Sequence, residues 1–257
     1  MSIQTSTALR AAWHPARHFA PTEPRLIVAG ATGVLGAEVL RRLAGSGRLA
    51  HTEVLAKEPM ATSLAQVSIL EVTDNLQAWQ SANAQVGVVM FEPPRLYYER
   101  ERALWTPAPE QLLLLARWLR RCGVHTLVVV VPHAQGRLPD AVKSGLANLD
   151  EQALAAVGFE RLLLVRSAQK MSATAAPGVF NKVAAWMLST LSYMIPATEQ
   201  PVRPSKLAEF IDLAMHLLPV GTHVASPELL WRSADHGDTQ LVVKAWLNSK
   251  IESNPVV

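Results

Sequence analysis

The sequence predicts an α/β protein with a doubly wound parallel sheet, and three observations carry this prediction. Short apolar segments alternate with longer amphipathic segments over residues 25–167. The segment 125–132 is almost wholly apolar, as a strand buried on both faces should be. A glycine-rich loop at residues 30–36 joins the first apolar segment to the first amphipathic one. This alternation favours parallel strands that are covered on both faces by helices.

Apolar patterns and punctuating residues place the individual elements. Strands are predicted over residues 25–30, 52–57, 67–72, 86–94, 125–132 and 161–167, and helices over residues 34–47, 75–83, 109–124 and 149–158. Gly45 or Gly47 closes the first helix, and Asp74 is placed to cap the second. Pro109 suits the first turn of the third helix, which ends at Gly123.

The chain is interpreted as one domain over residues 25–257, preceded by an N-terminal extension over residues 1–24. After residue 166 the pattern changes to helical and loop-rich segments. Residues 170–257 are therefore expected to form a small cap or substrate subregion over the carboxyl edge of the sheet, where ligands bind in open α/β folds. The apolar segment 183–195 favours burial in the core, with the surface of a homodimer as the alternative.

Composition and charge narrow the classes of partner. The 24 Lys and Arg nearly balance the 21 Asp and Glu without any basic run, so nucleic-acid binding is not expected. No apolar run is long enough to span a bilayer, so no membrane partner is expected. The single Cys122 suits a reducing compartment and a cytoplasmic location. Residues 1–24 carry Arg10 and Arg17 but no acid before Glu23, which fits an organelle-targeting leader or, preferably, a loose polar tail.

The glycine loop has the strand–loop–helix context of a dinucleotide-binding site. In GATGVLG, the first glycine permits a tight turn, the second lets the backbone approach a pyrophosphate, and the third permits close packing of helix on strand. The phosphates would lie against free N–H groups at the helix N-terminus. The predicted phosphate-binding residues are Gly30, Ala31, Thr32, Gly33, Val34, Leu35 and Gly36.

The G-x-x-G-x-x-G spacing resembles that of the short-chain dehydrogenase/reductase superfamily, and more narrowly that of its atypical, NmrA-like members. LEVTD resembles their acidic adenine-pocket segment, with Glu71 where Asp is usual. RLLLVRSAQKM resembles their late strand, with Ser167 in place of a proline, and PVRPSKLAEFIDLAMHLL resembles their late helix. The resemblance covers about residues 25–235 and implies a Rossmann-type fold that binds NAD(P)(H).

The resemblance also implies where the rest of the dinucleotide would lie. The implied contacts beyond the glycine loop are Lys57, Glu71, Val72, Phe91, Glu92 and Pro132. The acidic segment after the third strand would border the adenine, and the ends of the fourth and fifth strands would run beside the nicotinamide. A base at the end of the second strand accommodates a 2′-phosphate, whereas an acid there binds the 2′-OH. Lys57 therefore favours NADP(H) over NAD(H), although Glu58 stands beside it.

The Tyr-x-x-x-Lys pair by which reductases of this superfamily move a proton is absent. None of the three tyrosines is followed by lysine at the fourth position, and the expected place of the pair reads SGLANLDEQAL. His133, next to the end of the fifth strand, is the best substitute acid, because imidazole titrates near neutral pH. Tyr97 and Tyr98, after the fourth strand, are a second choice. The eight histidines show no metal-ligand spacing, so no metal site is expected.

Two functional hypotheses follow, and they belong to different classes. The favoured one is a protein that binds NAD(P)(H) and acts as a sensor, regulator or scaffold without hydride transfer. The alternative is an oxidoreductase or isomerase that uses NADPH and an unconventional acid on a small carbonyl substrate. The missing pair favours the first hypothesis, since apolar or acidic residues in its place cannot perform the usual proton transfer.

Overall fold

The computed structural model describes residues 24–62, 64, 66–131, 150–166, 202–235 and 237–252. The strands among them are β1 (Arg25–Ala29), β2 (His51–Ala56), β3 (Val67–Glu71), β4 (Val86–Met90), β5 (Thr126–Val131), β6 (Arg161–Arg166) and β7 (Gly221–Ala225). They form one parallel sheet in the order β3-β2-β1-β4-β5-β6-β7. This sheet confirms the predicted doubly wound α/β class.

The described α-helices lie between these strands along the chain or after β7. They are α1 (Gly33–Ala44), α2 (Glu99–Arg102), α3 (Leu112–Arg121), α4 (Glu151–Ala155), α5 (Pro204–Leu217), α6 (Pro227–Asp235) and α7 (Thr239–Glu252). Two single turns of 3-10 helix, Leu76–Ala78 and Pro109–Gln111, lie between β3 and β4 and before α3. Among the described residues, no helix combines the length and the apolar character needed to cross a membrane.

The buried residues form one apolar cluster on each face of the sheet. Along β1, Leu26 and Val28 belong to the first cluster, whereas Ile27 and Ala29 belong to the second. The first cluster includes side chains of α1, α5, α6 and α7, and the second includes side chains of α3 and α4. Because both faces are covered, the central strands can be apolar at every position, which is the pattern that the sequence shows.

The strand order creates a crevice at the carboxyl ends of β1 and β4. β1 pairs with β2 on one side and with β4 on the other. The next long helix after β1 packs on the first face of the sheet, and the next long helix after β4 packs on the second. Such a reversal is the topological switch point at which open α/β folds bind ligands. The glycine loop follows β1 at this point.

The described part of the C-terminal region differs from the expected cap. β7 pairs in parallel with β6, and α5 packs beside α1 in the first apolar cluster. Residues 202–252 thus extend the sheet and one of its helical layers. β7 was not predicted, because GTHVA is short and shows neither an apolar run nor a regular alternation. Residues 167–201, which include the rest of the expected cap, lie outside the described residues.

The segment between β3 and β4 also departs from the prediction. The helix expected over residues 75–83 is reduced to the 3-10 turn Leu76–Ala78. Its N-cap is Asn75, whose side-chain oxygen accepts a hydrogen bond from the Gln77 N–H at 3.2 Å. Asp74, the predicted cap, lies one residue too early. Asn and Asp are about equally good caps, so the pattern alone does not fix which of two adjacent residues is used.

Asp212 on α5 links the C-terminal region to the N-terminal half of the sheet. Its carboxylate is buried and lies 3.1 Å from the Arg42 Nε on α1, 3.7 Å from an Arg48 nitrogen and 3.5 Å from the His216 Nε2. Burial alone would raise the pKa of Asp212, but the adjacent His216, the hydrogen bond from Arg42 and the two arginine charges outweigh it. The pKa of this carboxyl group therefore lies below its ordinary value.

Replacing Asp212 should destabilise the fold in a pH-dependent way. Because the folded-state pKa lies below the unfolded one, the stabilisation is present above about pH 4 and is lost as the pH falls through the folded pKa. Asp212→Asn should therefore lower the free energy of unfolding by about 1–3 kcal/mol near neutral pH, and by much less in acid. Urea unfolding at both pH values measures this, with Asp235→Asn on the exposed end of α6 as control. A loss that is equal at both pH values would contradict the assignment.

Candidate functional site

The glycine loop has the backbone of an anion-binding turn. Gly30 and Gly33 both adopt positive φ, at 74° and 71°, which side-chain-bearing residues rarely do. α1 begins at Gly33, and the side chain of its N-cap, Thr32, makes no capping hydrogen bond to the helix. The first N–H groups of α1 therefore need acceptors from elsewhere, and the positive end of the helix dipole favours an anion there.

The acceptor at this helix end is the carboxylate of Glu92. Glu92 follows β4 by two residues, and its Oε2 accepts a hydrogen bond from the Leu35 N–H at 2.7 Å. The Gly36 N–H donates instead to the Thr32 carbonyl oxygen at 3.2 Å. A Cβ atom added to Gly33 would overlap the Glu92 side chain. The carboxylate thus lies where the second glycine of the motif would admit a pyrophosphate.

A second carboxylate, that of Glu101 on α2, reaches the same loop. Its Oε2 accepts the Gly33 N–H at 3.1 Å and the Arg95 backbone N–H at 2.9 Å. Its Oε1 accepts a hydrogen bond from the Arg95 Nε at 2.8 Å, and the rest of the Arg95 guanidinium also contacts it. Only 8% of Glu101 is exposed. Glu101 is therefore a buried, fully engaged acceptor rather than a surface charge.

The two carboxyl groups differ in pKa because only one has a cationic partner. Burial raises the pKa of Glu92 and the Glu101 charge adds to the rise, while the N–H groups of Leu35, Val34 and Gly36 work against it. Burial acts in the same direction on Glu101, but hydrogen bonds from Arg95 and from the Gly33 N–H outweigh it and hold its pKa below the ordinary value. Glu101 is thus the more firmly ionised of the pair.

A crossing segment, residues 103–106, lies between the carboxyl ends of β1 and β2. The Trp105 N–H donates to the Leu55 carbonyl oxygen at 3.0 Å, and the Gly30 N–H donates to the Trp105 carbonyl oxygen at 3.1 Å. The Lys57 N–H donates to the Ala103 carbonyl oxygen at 2.7 Å. These bonds close the edge of the sheet between two strands that pair with each other further down.

Side chains fix the crossing segment as firmly as its backbone does. The Trp105 indole is 2% exposed and meets the Trp79 ring edge to face at 4.9 Å between centroids. The Thr106 Oγ1 lies 3.0 Å from the Thr32 Oγ1, and the Thr32 hydroxyl in turn donates to the Glu92 carbonyl oxygen. The glycine loop, the end of β4 and the crossing segment are therefore hydrogen-bonded to one another.

The loop fits an anion, but its present arrangement does not fit a dinucleotide. A pyrophosphate would need the Leu35 N–H and the space against Gly33, and Glu92 occupies both. The Gly33 N–H is likewise engaged by Glu101.

The other predicted cofactor contacts lie around this centre. The Lys57 Nζ lies 3.6 Å from an Asp74 carboxylate oxygen, and both side chains are well exposed. Glu71 is exposed and Val72 buried, and both line a cavity of about 220 Å³ that includes Trp79 and Trp118. Phe91 is buried in the second apolar cluster. Pro132 and the substitute acid His133 lie outside the described residues.

The tyrosines after β4 are not held in a reactive setting. Tyr97 is 94% exposed, and Tyr98 is half-exposed with the Arg95 guanidinium 3.7 Å from its ring centroid. Asp150, in the region where the catalytic lysine is expected, instead caps α4 by accepting the Ala153 N–H at 2.8 Å. Tyr193 lies outside the described residues.

Glu92 was predicted to belong to the site, but as a cofactor contact, and neither Glu101 nor Trp105 was predicted to lie there. Glu101 stands in the run ERER, where nothing distinguishes it from the exposed Glu99. Trp105 is one of seven scattered tryptophans. The one available signal was the bulky acid at position 92, placed beside a loop whose glycines leave space for a ligand.

Comparisons with known proteins agree with the fold alone. The sequence matches no protein-family model and no curated protein. A Rossmann-fold NAD(P)-binding family protein from Shigella flexneri is 14% identical, with 76% of this chain and 87% of that chain covered and a TM-score of 0.44. Triphenylmethane reductase from Citrobacter sp., solved with NADP(H), is 15% identical over 77% and 68%, with a TM-score of 0.43. Uronate dehydrogenase from Agrobacterium tumefaciens is 16% identical over 78% and 75%, with a TM-score of 0.47. At these identities and TM-scores, the similarity identifies neither function nor cofactor for this chain.

The position of Glu92 against Gly33 can be tested by a double-mutant cycle. Gly33→Ala should lower the free energy of unfolding by about 1–2 kcal/mol through its positive φ alone, and by more because the new methyl group must displace Glu92. In a Glu92→Ala background only the first part should remain. Urea denaturation of the four proteins measures the difference.

Gly47→Ala is the matched control for this cycle, because Gly47 has a φ of 67° and nothing within 4 Å of an added Cβ. Its effect should be the same with and without Glu92. If Gly33→Ala were equally destabilising in both backgrounds, the Glu92 side chain would not lie against Gly33 in solution.

Proposed function

We propose that this chain is a regulator or scaffold built on a Rossmann-type fold, and that it does not transfer hydride. The observation that carries this proposal is the engagement of the glycine-loop N–H groups by the chain's own Glu92 and Glu101 carboxylates. An oxidoreductase of this fold must hold its nicotinamide cofactor at that loop through the reaction. A loop whose donors are already bound to the chain's own carboxylates is poorly arranged for that task.

The residues near the site give independent support. A general acid contributes about 10²–10⁴-fold to rate, and it must reach the reacting atom. No Tyr-x-x-x-Lys pair occurs in the sequence. Tyr97 extends into solvent, and Tyr98 stacks with Arg95. His133 remains the substitute acid of the alternative hypothesis, an NADPH-dependent oxidoreductase or isomerase on a small carbonyl compound.

The purified chain should not consume NADPH or NADH over a panel of aldehydes, ketones and quinones. Absorbance at the reduced nicotinamide band measures consumption directly. His133→Ala is assayed beside the wild type, because it separates two ways in which this expectation could fail. Turnover that His133→Ala abolishes would establish the oxidoreductase alternative with the substitute acid, and turnover that survives it would point to Tyr97, Tyr98 or the substrate itself.

The cofactor preference belongs to the same proposal: a dinucleotide that entered this edge would be NADP(H) rather than NAD(H). Lys57 follows β2, its side chain is half-exposed, and its ammonium group lies 3.6 Å from a carboxylate oxygen of the exposed Asp74. The lysine can therefore turn to a 2′-phosphate with little loss. The proposed location is the cytoplasm, which the single buried Cys122 suits. A homodimer is the alternative to burial of the apolar segment 183–195 in the core.

Lys57→Ala should change the affinities for the two cofactors differently, in any form of the protein that binds both. A charged hydrogen bond to the 2′-phosphate corresponds to about tenfold in affinity or more. The affinity for NADPH should therefore fall by about that factor, while the affinity for NADH changes little. Calorimetric titration of a Glu92→Ala/Trp105→Ala protein, in which both halves of the site are vacated, measures both affinities with and without the Lys57 substitution. Equal losses for the two cofactors would remove Lys57 from the 2′ position.

A further inference from the structure

We propose that residues 92–106 of the chain themselves occupy the dinucleotide site. This segment, the internal occupant, lies where the ligand would bind and keeps NADP(H) and NAD(H) out of the site. This inference rests on the proposed function only in taking a dinucleotide as the ligand that this edge would accept. It assigns a role to Glu101 and Trp105, which neither functional hypothesis uses.

The first part of the occupant takes the place of the phosphates. The Glu92 carboxylate accepts the Leu35 N–H, and the Glu101 carboxylate accepts the Gly33 N–H. Each N–H group has one proton to donate, so a phosphate oxygen can bind there only after a carboxylate leaves. A phosphate beside the remaining carboxylates would also meet like charge within a partly buried site.

The second part takes the place of the adenosine. In open α/β folds the ligand lies outside the carboxyl ends of the strands, and here the crossing segment fills the space above β1 and β2. The Gly30 N–H and the Lys57 N–H both donate to its carbonyl oxygens. The Trp105 indole is buried in the same apolar cluster as Leu55 and Val72, next to the predicted adenine pocket. A flat aromatic ring thus lies close to the position predicted for a flat aromatic base.

The two parts are joined, so that the occupant acts as one unit. Arg95 contacts Glu101 through its guanidinium and through its backbone N–H. Thr32 hydrogen-bonds the Glu92 backbone and contacts Thr106. Removing Glu92 should free the Leu35 N–H, while Glu101 still engages the Gly33 N–H and Trp105 still blocks the adenosine half.

The test compares wild type with Glu92→Ala, using inorganic pyrophosphate and NADPH as probes in calorimetric titrations. The wild type should bind neither probe measurably at millimolar concentration, and Glu92→Ala should bind pyrophosphate at least about tenfold more tightly than wild type. The affinity for NADPH should rise less than the affinity for pyrophosphate, because Trp105 remains in place. Glu92→Gln, which loses the charge but keeps the bulk, should gain less than Glu92→Ala. It also serves as the test variant if the alanine form does not fold.

Glu99→Ala is the matched control, because it removes an exposed acid from the same segment without touching the loop. It should bind pyrophosphate as weakly as the wild type. Equal binding of pyrophosphate by wild type and Glu92→Ala would overturn the proposal, and so would the absence of binding by a folded Glu92→Ala, which would make the carboxylate a permanent helix cap.

One result would contradict the internal occupant and leave the proposed function standing. Binding of NADPH to the wild type without consumption overturns this inference alone. Consumption of NADPH overturns the proposed function. The same preparation answers both questions, because titration reports binding and absorbance reports turnover.

Discussion

The Glu92 carboxylate at the N-terminus of α1 is the contact on which the ligand edge of this molecule depends. A helix that starts at the glycine loop presents N–H groups that no residue of the helix itself can satisfy. In a loaded dinucleotide-binding protein the phosphates satisfy them. Here the acceptor comes from the end of β4. The helix end is thereby completed without a ligand, and the loop, β4 and the crossing segment are held in one arrangement.

The energetics of this contact explain why two acids can share so small a region. A carboxylate at a helix N-terminus contributes about 0.3–1 kcal/mol when exposed and up to about 2 kcal/mol when partly buried. Glu92 has only those N–H groups to balance its burial, whereas Glu101 has Arg95 as well. Arg95 therefore neutralises one of the two charges and leaves the other for the helix end. Without it, like-charge repulsion would oppose the pairing of both acids with one loop.

The parts of this structure that the sequence predicted are those with a strong periodic or local signal. Six strands, the glycine loop and the start of α1 follow from apolar runs and from glycines that only a tight turn explains. β7 was missed because its five residues carry too little pattern, and the cap of the 3-10 turn was placed one residue early. Glu101 and Trp105 were missed for a different reason. Their roles depend on a chain reversal after β4 that brings position 101 to position 33, and no local pattern encodes that long-range contact.

The missing Tyr-x-x-x-Lys pair and the side chains of Glu92 and Trp105 at the site support the same interpretation. A proton-transfer pair is useful only beside a bound nicotinamide, and a glycine loop is needed for binding only while its N–H groups are free. Glu92 and Trp105 supply hydrogen-bond partners to the glycine loop and to the end of β2 without a cofactor. Fold and function separate at this point. In the arrangement proposed above, the sheet and the glycine turn have the form of a dinucleotide-binding fold, while residues 92–106 take the space of the dinucleotide.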